Sequence, residues 1–337
     1  MTLFGDPAIW LPVAFAGILG VSILLYVILD GFDLGVGILL PLADDAEKDR
    51  MIASIGPFWD ANETWLVLGV GILLVAFPTA HGVILTALYL PVAVMLVGLI
   101  LRGVAFEFRI KAPLERKSIW NWTFFAGSLM TALAQGLMLG LYIMGLEITL
   151  INVAFALLTA LCVVGGYAFI GATWLILKTE EALQTKALIW ARFGLFGAAF
   201  GLAAVSLATP FASDRIFDKW FSMPAFVALA PLPIVSTGLL VVLWLSLRHL
   251  SVSENRAGDW VPFTAAVALF VIAFVGLAYS FYPYIVPEKL TIYDAASAPE
   301  SLMIILVGTL VVMPVILGYT ALSYVIFRGK ATELRYD

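Results

Sequence analysis

Three apolar stretches of this chain carry charges that apolar sequence should not hold. The run Leu29-Asp30-Gly31-Phe32-Asp33-Leu34-Gly35-Val36-Gly37 places two carboxylates three residues apart. Pro57-Phe58-Trp59-Asp60-Ala61-Asn62-Glu63-Thr64-Trp65-Leu66 repeats that spacing with Asp60 and Glu63, and a third stretch carries Arg102 and Glu107. Side chains at i,i+3 share a helix face. Ionisable groups inside a membrane span are costly and mark a functional site by default. Asp30, Asp33, Asp60, Glu63 and Glu107 outnumber the lone Arg102, so pairing cannot neutralise them all. A carboxyl in a low-dielectric setting can take up and release a proton near neutral pH. The group therefore reads as a proton path entering from one membrane face, with a cation site as the other chemistry it could serve. The bland reading is that the acids lock helices together, with Arg102 pairing Asp30 or Asp60.

These residues need spans to hold them, and the composition supplies spans. The chain has 337 residues, of which 63% are hydrophobic and 12% charged, with mean hydropathy +1.05. A soluble domain is about half apolar and about a quarter charged. A core that could bury this much apolar surface in water exceeds what soluble domains achieve, and disordered chains lack apolar residues. The chain is therefore an integral membrane protein. A span takes about 20 apolar residues. Nine candidates lie at roughly 9–40, 53–77, 83–108, 119–143, 149–177, 187–209, 224–247, 261–281 and 301–327. The first is long for one span, so it tilts, protrudes or breaks at its glycines. No basic segment precedes it, and Asp6 stands there instead, so a cleaved signal is not expected.

Nine spans put Lys48, Arg50, Arg109, Lys111, Arg116, Lys117, Lys178, Lys186, Arg248, Arg256, Arg328, Lys330 and Arg335 on the side of the C-terminus. The opposite side holds only Arg215, Lys219 and Lys289. Basic residues in short loops stay in the cytoplasm. The expected topology is a multi-pass protein of the bacterial inner (plasma) membrane, with the N-terminus periplasmic and the C-terminus cytoplasmic. All six charged groups then lie in the cytoplasmic half of the first three spans. The longest outer stretch, Tyr282 to Ser301, carries Pro283, Pro287, Pro299 and three tyrosines, and reads as an ordered cap at the interface. Gly136-x-x-x-Gly140 and Gly197-x-x-x-Gly201 permit close helix approach, although such pairs are common in apolar helices.

Other chemistry finds little support. His81 falls in an outer loop and His249 in a cytoplasmic one, so neither is placed to clamp a haem within a span. Cys162 stands alone, and no metal site or nucleotide-binding motif is legible. The net charge of −5 excludes a nucleic-acid partner. Trp10, Trp120, Trp122, Trp220 and Trp260 sit near span ends as an interfacial belt, whereas Trp65 sits deeper, beside the polar cluster.

The segments at 29–37 and 58–66 strongly resemble subunit II of the cytochrome bd ubiquinol oxidases. Leu101-Arg102-Gly103-Val104-Ala105-Phe106-Glu107-Phe108-Arg109 and Leu290-Thr291-Ile292-Tyr293-Asp294-Ala295 match in order, so the resemblance covers essentially the whole length. The short loops and Glu63 are similar to the cyanide-insensitive branch. The resemblance implies an all-α integral membrane fold of nine transmembrane helices, arranged as two four-helix bundles plus one extra helix. On this chain those would be residues 1–147, residues 148–285, and an outer cap with the ninth helix at 286–337. It implies a partner, subunit I, which binds two haems b and one haem d and holds the quinol site, while this chain binds no haem or metal. Membrane lipids and quinone surround the complex, and a small single-span accessory subunit is a further partner. The complex oxidises quinol and reduces oxygen to water with protons drawn from the cytoplasm. Subunit II supports assembly and supplies proton and oxygen access. Asp60, Trp65 and Glu107 match positions that resemble parts of those routes, with Glu63, Asp30 and Asp33 as further members and Arg102 as a structural ion pair. A proton- or cation-coupled secondary transporter is the rival reading. Against it, the polar groups sit in one half of the chain, whereas inverted repeats place matching breaks in both.

Overall fold

The computed structural model describes residues 5–212, 214–253 and 256–331, so Arg335 and the C-terminus lie outside the described residues. Asp6 caps α1 (Pro7–Leu39) by accepting from the Ala8 N–H at 3.0 Å, and Pro7 supplies a pre-set first turn. The helix runs unbroken past Pro12 and its glycines into a 3₁₀ turn at Leu40–Leu42. At about 1.5 Å per residue it exceeds the ~30 Å hydrocarbon layer. Then come α2 (Asp45–Ile55), α3 (Trp59–Ala76), α4 (Pro78–Lys111), α5 (Lys117–Ile143), α6 (Leu150–Lys178) and α7 (Glu181–Ala208). They are followed by α8 (Asp214–Phe221), α9 (Ala225–Leu229), α10 (Pro231–Val252) and α11 (Val261–Phe281). A two-stranded antiparallel hairpin, β1 (Tyr284–Val286) and β2 (Leu290–Thr291), precedes α12 (Pro299–Ile326).

Nine helical stretches among the described residues are long and apolar enough to cross a membrane, with α9 and α10 counted together. The fold is all-α and integral to the membrane. Three boundaries depart from the sequence expectation. The second span begins at Trp59 rather than near 53, because Pro57 has no N–H to continue a helical ladder. Residues 45–55 form instead the separate polar helix α2. There Lys48 donates to Asp45 and holds that exposed carboxyl below the usual carboxylate range. Only Phe77 separates α3 from α4, so His81 lies in the first turn of α4 rather than in a loop. The stretch between α7 and α10 contains α8 and α9, whose short lengths leave little apolar periodicity to read.

α4 bends at Leu88 (φ −109°, ψ 16°), three residues before Pro91, whose ring displaces the preceding turn. α1 packs against α3, α5, α6, α11 and α12, which makes it the central element. Its approach to α6 requires glycine: a Cβ on Gly171 would sit 2.5 Å from the Gly35 carbonyl carbon, and one on Gly35 would overlap the Tyr167 carbonyl oxygen. Gly136 and Gly140 seat α5 directly on Ala160 and Ala156 of α6, while Gly197 faces open space. The expected outer cap is ordered. Ser297 donates to the carbonyls of Val75 and Ala76 at the end of α3, and Tyr142 donates to Ile285 in β1 at 2.8 Å.

Candidate functional site

Asp30 and Asp33 of α1 are wholly buried, and Arg102 of α4 is 1% exposed. The guanidinium spans two helices. Its Nη1 donates to Asp30 Oδ1 at 2.5 Å, and its Nη2 donates to Glu63 Oε2 of α3 at 3.1 Å. Bidentate use of the planar fork suits arginine rather than lysine. Glu63 retains 30% side-chain exposure, so it is the rim of the cluster and Asp30 its floor. Asp33 makes no ion pair among the described residues. It accepts from Asn62 Nδ2 at 2.8 Å, and the same amide nitrogen donates to the Leu29 carbonyl at 3.2 Å. The Leu29 carbonyl only accepts, which fixes the amide nitrogen on that side. The Asn62 oxygen is then left for the Tyr324 hydroxyl of α12, which donates at 3.0 Å.

A second arm leaves Asp30 through Tyr26. Tyr26 lies one turn away on α1, beside Asp30. Gln135 of α5 donates to the Tyr26 oxygen at 2.6 Å, and Tyr167 of α6 donates to the Gln135 oxygen at 2.6 Å. Gly31 makes this possible, since a Cβ there would stand 2.8 Å from the Tyr167 ring. Asp33 Oδ1, Arg102 Nε and the Trp65 indole nitrogen are buried without a hydrogen-bond partner among the described residues. Buried polar atoms of this kind are ordinarily satisfied by water. Buried carboxyls beside one guanidinium can hold a proton or fix the local field.

The six charged residues singled out in the sequence do not form one group. Asp30, Asp33 and Glu63 gather around Arg102, whereas Asp60 in the first turn of α3 and Glu107 near the end of α4 are exposed. Asp60 and Glu63 were expected on one face, yet only Glu63 turns inward. Trp59, beside Asp60 in the chain, packs on Phe106 with ring centroids 4.9 Å apart. Val67, Val104 and Phe108 are also exposed along this part of α3 and α4. Trp65 is fully buried below the rim. Asn62, Tyr324, Tyr26, Gln135 and Tyr167 were not singled out as site residues. The signal that could have found them is the same one that found the acids: polar side chains within apolar runs.

His81 and His249 stand in the first turn of α4 and the last turn of α10, away from the buried network. No group of three His, Cys, Asp or Glu residues able to hold a metal occurs among the described residues. The buried network contains no imidazole among the described residues.

The profile of the family described as cytochrome bd terminal oxidase subunit II matches residues 11–327. The probable cytochrome oxidase subunit 2 of Haemophilus influenzae is 29% identical, over 88% of this chain and 88% of its own length. The cytochrome bd ubiquinol oxidase subunit 2 of Bacillus subtilis is 28% identical over 90% of this chain and 92% of its own. For the cytochrome bd-I ubiquinol oxidase subunit 2 of Escherichia coli the figures are 28%, 94% and 94%. A chain in the structure of bd oxidase from Geobacillus thermodenitrificans shares the fold, with TM-score 0.78, 17% identity, and coverage of 95% of this chain and 99% of that one.

Proposed function

Since the chain belongs to the cytochrome bd terminal oxidase subunit II family, we propose that it is the haem-free second subunit of a bd-type quinol:oxygen oxidoreductase, a terminal oxidase of aerobic respiration. Its partner is subunit I, which carries two haems b and haem d and binds quinol. A small single-span subunit, lipids and quinone complete the surroundings. The chain sits in the bacterial inner membrane with its N-terminus periplasmic and its C-terminus cytoplasmic. It divides into a four-helix bundle at 1–147, a second at 148–285, and the cap with the ninth helix at 286–337.

Within the complex the subunit supports assembly and supplies proton access, and Trp65 lines the access route for protons or oxygen. The observation that carries this reading is the split of the acids. Glu107 and Asp60 are open on the outside of α3 and α4, Glu63 is the rim, and Arg102, Asp30 and Asp33 lie behind it. A proton entering from the cytoplasm would be held by the exposed acids, exchange through Glu63, and pass to the partner along the outer face. The buried acids set the field at the rim. A general acid–base relay contributes through groups that gain and lose protons. Asp60→Asn and Glu107→Gln keep shape and remove acidity. In the assembled complex each should slow quinol-driven oxygen uptake while haem content stays unchanged. Full activity in both single variants and in the double variant would rule the route out. Loss of activity together with haem would assign the acids to packing.

A further inference from the structure

α12 has little apolar hold on the rest of the chain. Leu302 is its only buried residue, and Ile304, Val307, Leu310, Val311 and Val315 are all exposed. Its C-terminal end is nevertheless fixed, by polar means. Lys178, the last residue of α6, is 4% exposed. Its ammonium donates to the carbonyls of Phe327 and of Gly329, the latter at 3.0 Å, at the end of α12. Lys330 answers in the other direction, donating to the carbonyls of Leu177 at 2.9 Å and Thr179 at 3.2 Å at the end of α6. It also pairs with Asp259 at 2.5 Å, and the Ala331 N–H donates to the Lys178 carbonyl at 2.7 Å. Each helix end thus presents its unsatisfied carbonyls to a cation carried by the other, where the helix dipole favours positive charge.

The clasp has an aromatic inner wall. The Lys178 ammonium stands 5.3 Å from the Phe58 ring centroid and 5.1 Å from that of Trp174. Phe58 stacks on Tyr324 with centroids 4.5 Å apart and planes 20° apart. The ring of Tyr324 is therefore held by the same residues that the clasp lysine covers. Its hydroxyl points the other way, to Asn62, and Asn62 holds Asp33. This is the contact by which α12 enters the buried network.

We infer that Tyr324 is a positioning residue for Asp33, acting through Asn62, and that the crossed lysines Lys178 and Lys330 hold α12 in the register that places it there. The inference deepens the proton-access reading and rests on it. With the Tyr324 hydroxyl in place, the Asn62 oxygen is satisfied and its nitrogen is committed to Leu29 and Asp33. Without it, a buried amide oxygen loses its donor, and the geometry at Asp33 loosens. The charged and titratable groups facing Asp33 are Asp30 on its own helix, Glu63 from α3, Arg102 from α4 and Tyr324 from α12. Lys178 touches none of them; it reaches Asp33 through α12 and through Phe58, which stacks on Tyr324 and accepts from the Asn62 N–H at 2.9 Å.

The test uses the assembled complex in membranes, with haem content and the pH profile of quinol-driven oxygen uptake as readouts. Tyr324→Phe keeps the ring and its stack and removes the hydroxyl. It should leave haem content intact and lower turnover about three- to tenfold at the pH where the unmodified complex is optimal, the range one lost hydrogen bond allows. It should also displace the pH profile. Lys178→Gln should displace the profile in the same direction, Lys178→Arg should restore it, and the double variant should be no worse than the stronger single one. An unchanged pH profile in Tyr324→Phe overturns the inference, even if Lys178→Gln fails to assemble. So does a Lys178→Gln effect that simply adds to that of Tyr324→Phe. Asp33→Asn separates the two levels. If it shifts the profile while Tyr324→Phe does not, only the positioning role is lost; if it shifts nothing, the inference falls, while the route through Asp60, Glu107 and Glu63 is judged by their own variants.

Discussion

Replacing Arg102 with leucine removes the one cation from a buried cluster and leaves its acids in place. Asp30 loses the donor at 2.5 Å in a site with no solvent exposure, and Glu63 loses its donor at 3.1 Å. Breaking a buried pair by removing one partner costs on the order of 3–5 kcal/mol, because the surviving charge has neither water nor a counter-ion. Glu63 is partly exposed and recovers water, so nearly all of that cost falls on Asp30. Removing the second charge as well should return much of it. Arg102→Leu combined with Asp30→Asn leaves no α1 carboxylate stripped of its hydrogen-bond donor, since Asp33 keeps Asn62, and replacing both partners of a pair is often close to neutral. The expected order of thermal stability for the detergent-solubilised complex is therefore unmodified, then the double variant, then Arg102→Leu. Arg102→Lys should fall near the double variant, since one ammonium cannot reproduce two separate guanidinium contacts. Assembly is measured as haem per complex after purification. A melting midpoint for Arg102→Leu equal to that of the unmodified complex would show that the pair contributes nothing. A double variant worse than Arg102→Leu would show that Asp30 matters through something other than its charge.

Gly35→Val places a side chain on the Tyr167 carbonyl, where backbone rather than a flexible side chain must move; about 1–3 kcal/mol or more of destabilisation should appear as poor assembly, whereas Gly197→Ala, facing open space, should assemble normally. A reporter fused after Asp337 should be active only in its cytoplasmic form, and periplasmic activity would refute the orientation drawn from the basic loops. Lys219, which donates to the carbonyls of Tyr279 and Tyr282 at 2.6 Å each, has its proton affinity lowered by burial and by Arg215. A lysine depressed in the folded state contributes stability fully above its ordinary value near about 10.4, and loses it as pH falls through the lowered folded value. Thermal melts across that alkaline window should therefore rise with pH, and Lys219→Met should flatten the slope.

Much of the architecture was legible from residue types alone. Span number and the presence of an ordered outer cap follow from hydropathy and from the run of prolines and tyrosines after Phe281, which are properties of local sequence. Charges inside apolar runs were equally visible, because the cost of placing Asp30 or Arg102 in a span does not depend on what surrounds it. Boundaries were less secure where a single proline or a short helix decided them, as at Pro57 and α8.

Which way each acid turns was settled only by packing. Asp60 and Glu63 lie three residues apart on α3, yet one opens outward and the other meets Arg102. In a soluble helix the apolar stripe would mark the inner face, but lipid and protein interior are alike apolar, so a span has no such stripe to read. For the same reason nothing in the run around Tyr324 announces that its hydroxyl closes on Asn62, 262 residues earlier in the chain. That contact depends on α12 lying along α1, on the crossed lysines at Lys178 and Lys330, and on glycines that let α6 touch α1. Sequence decided which polar groups enter the membrane; the rotation and close approach of the helices decided which of them meet.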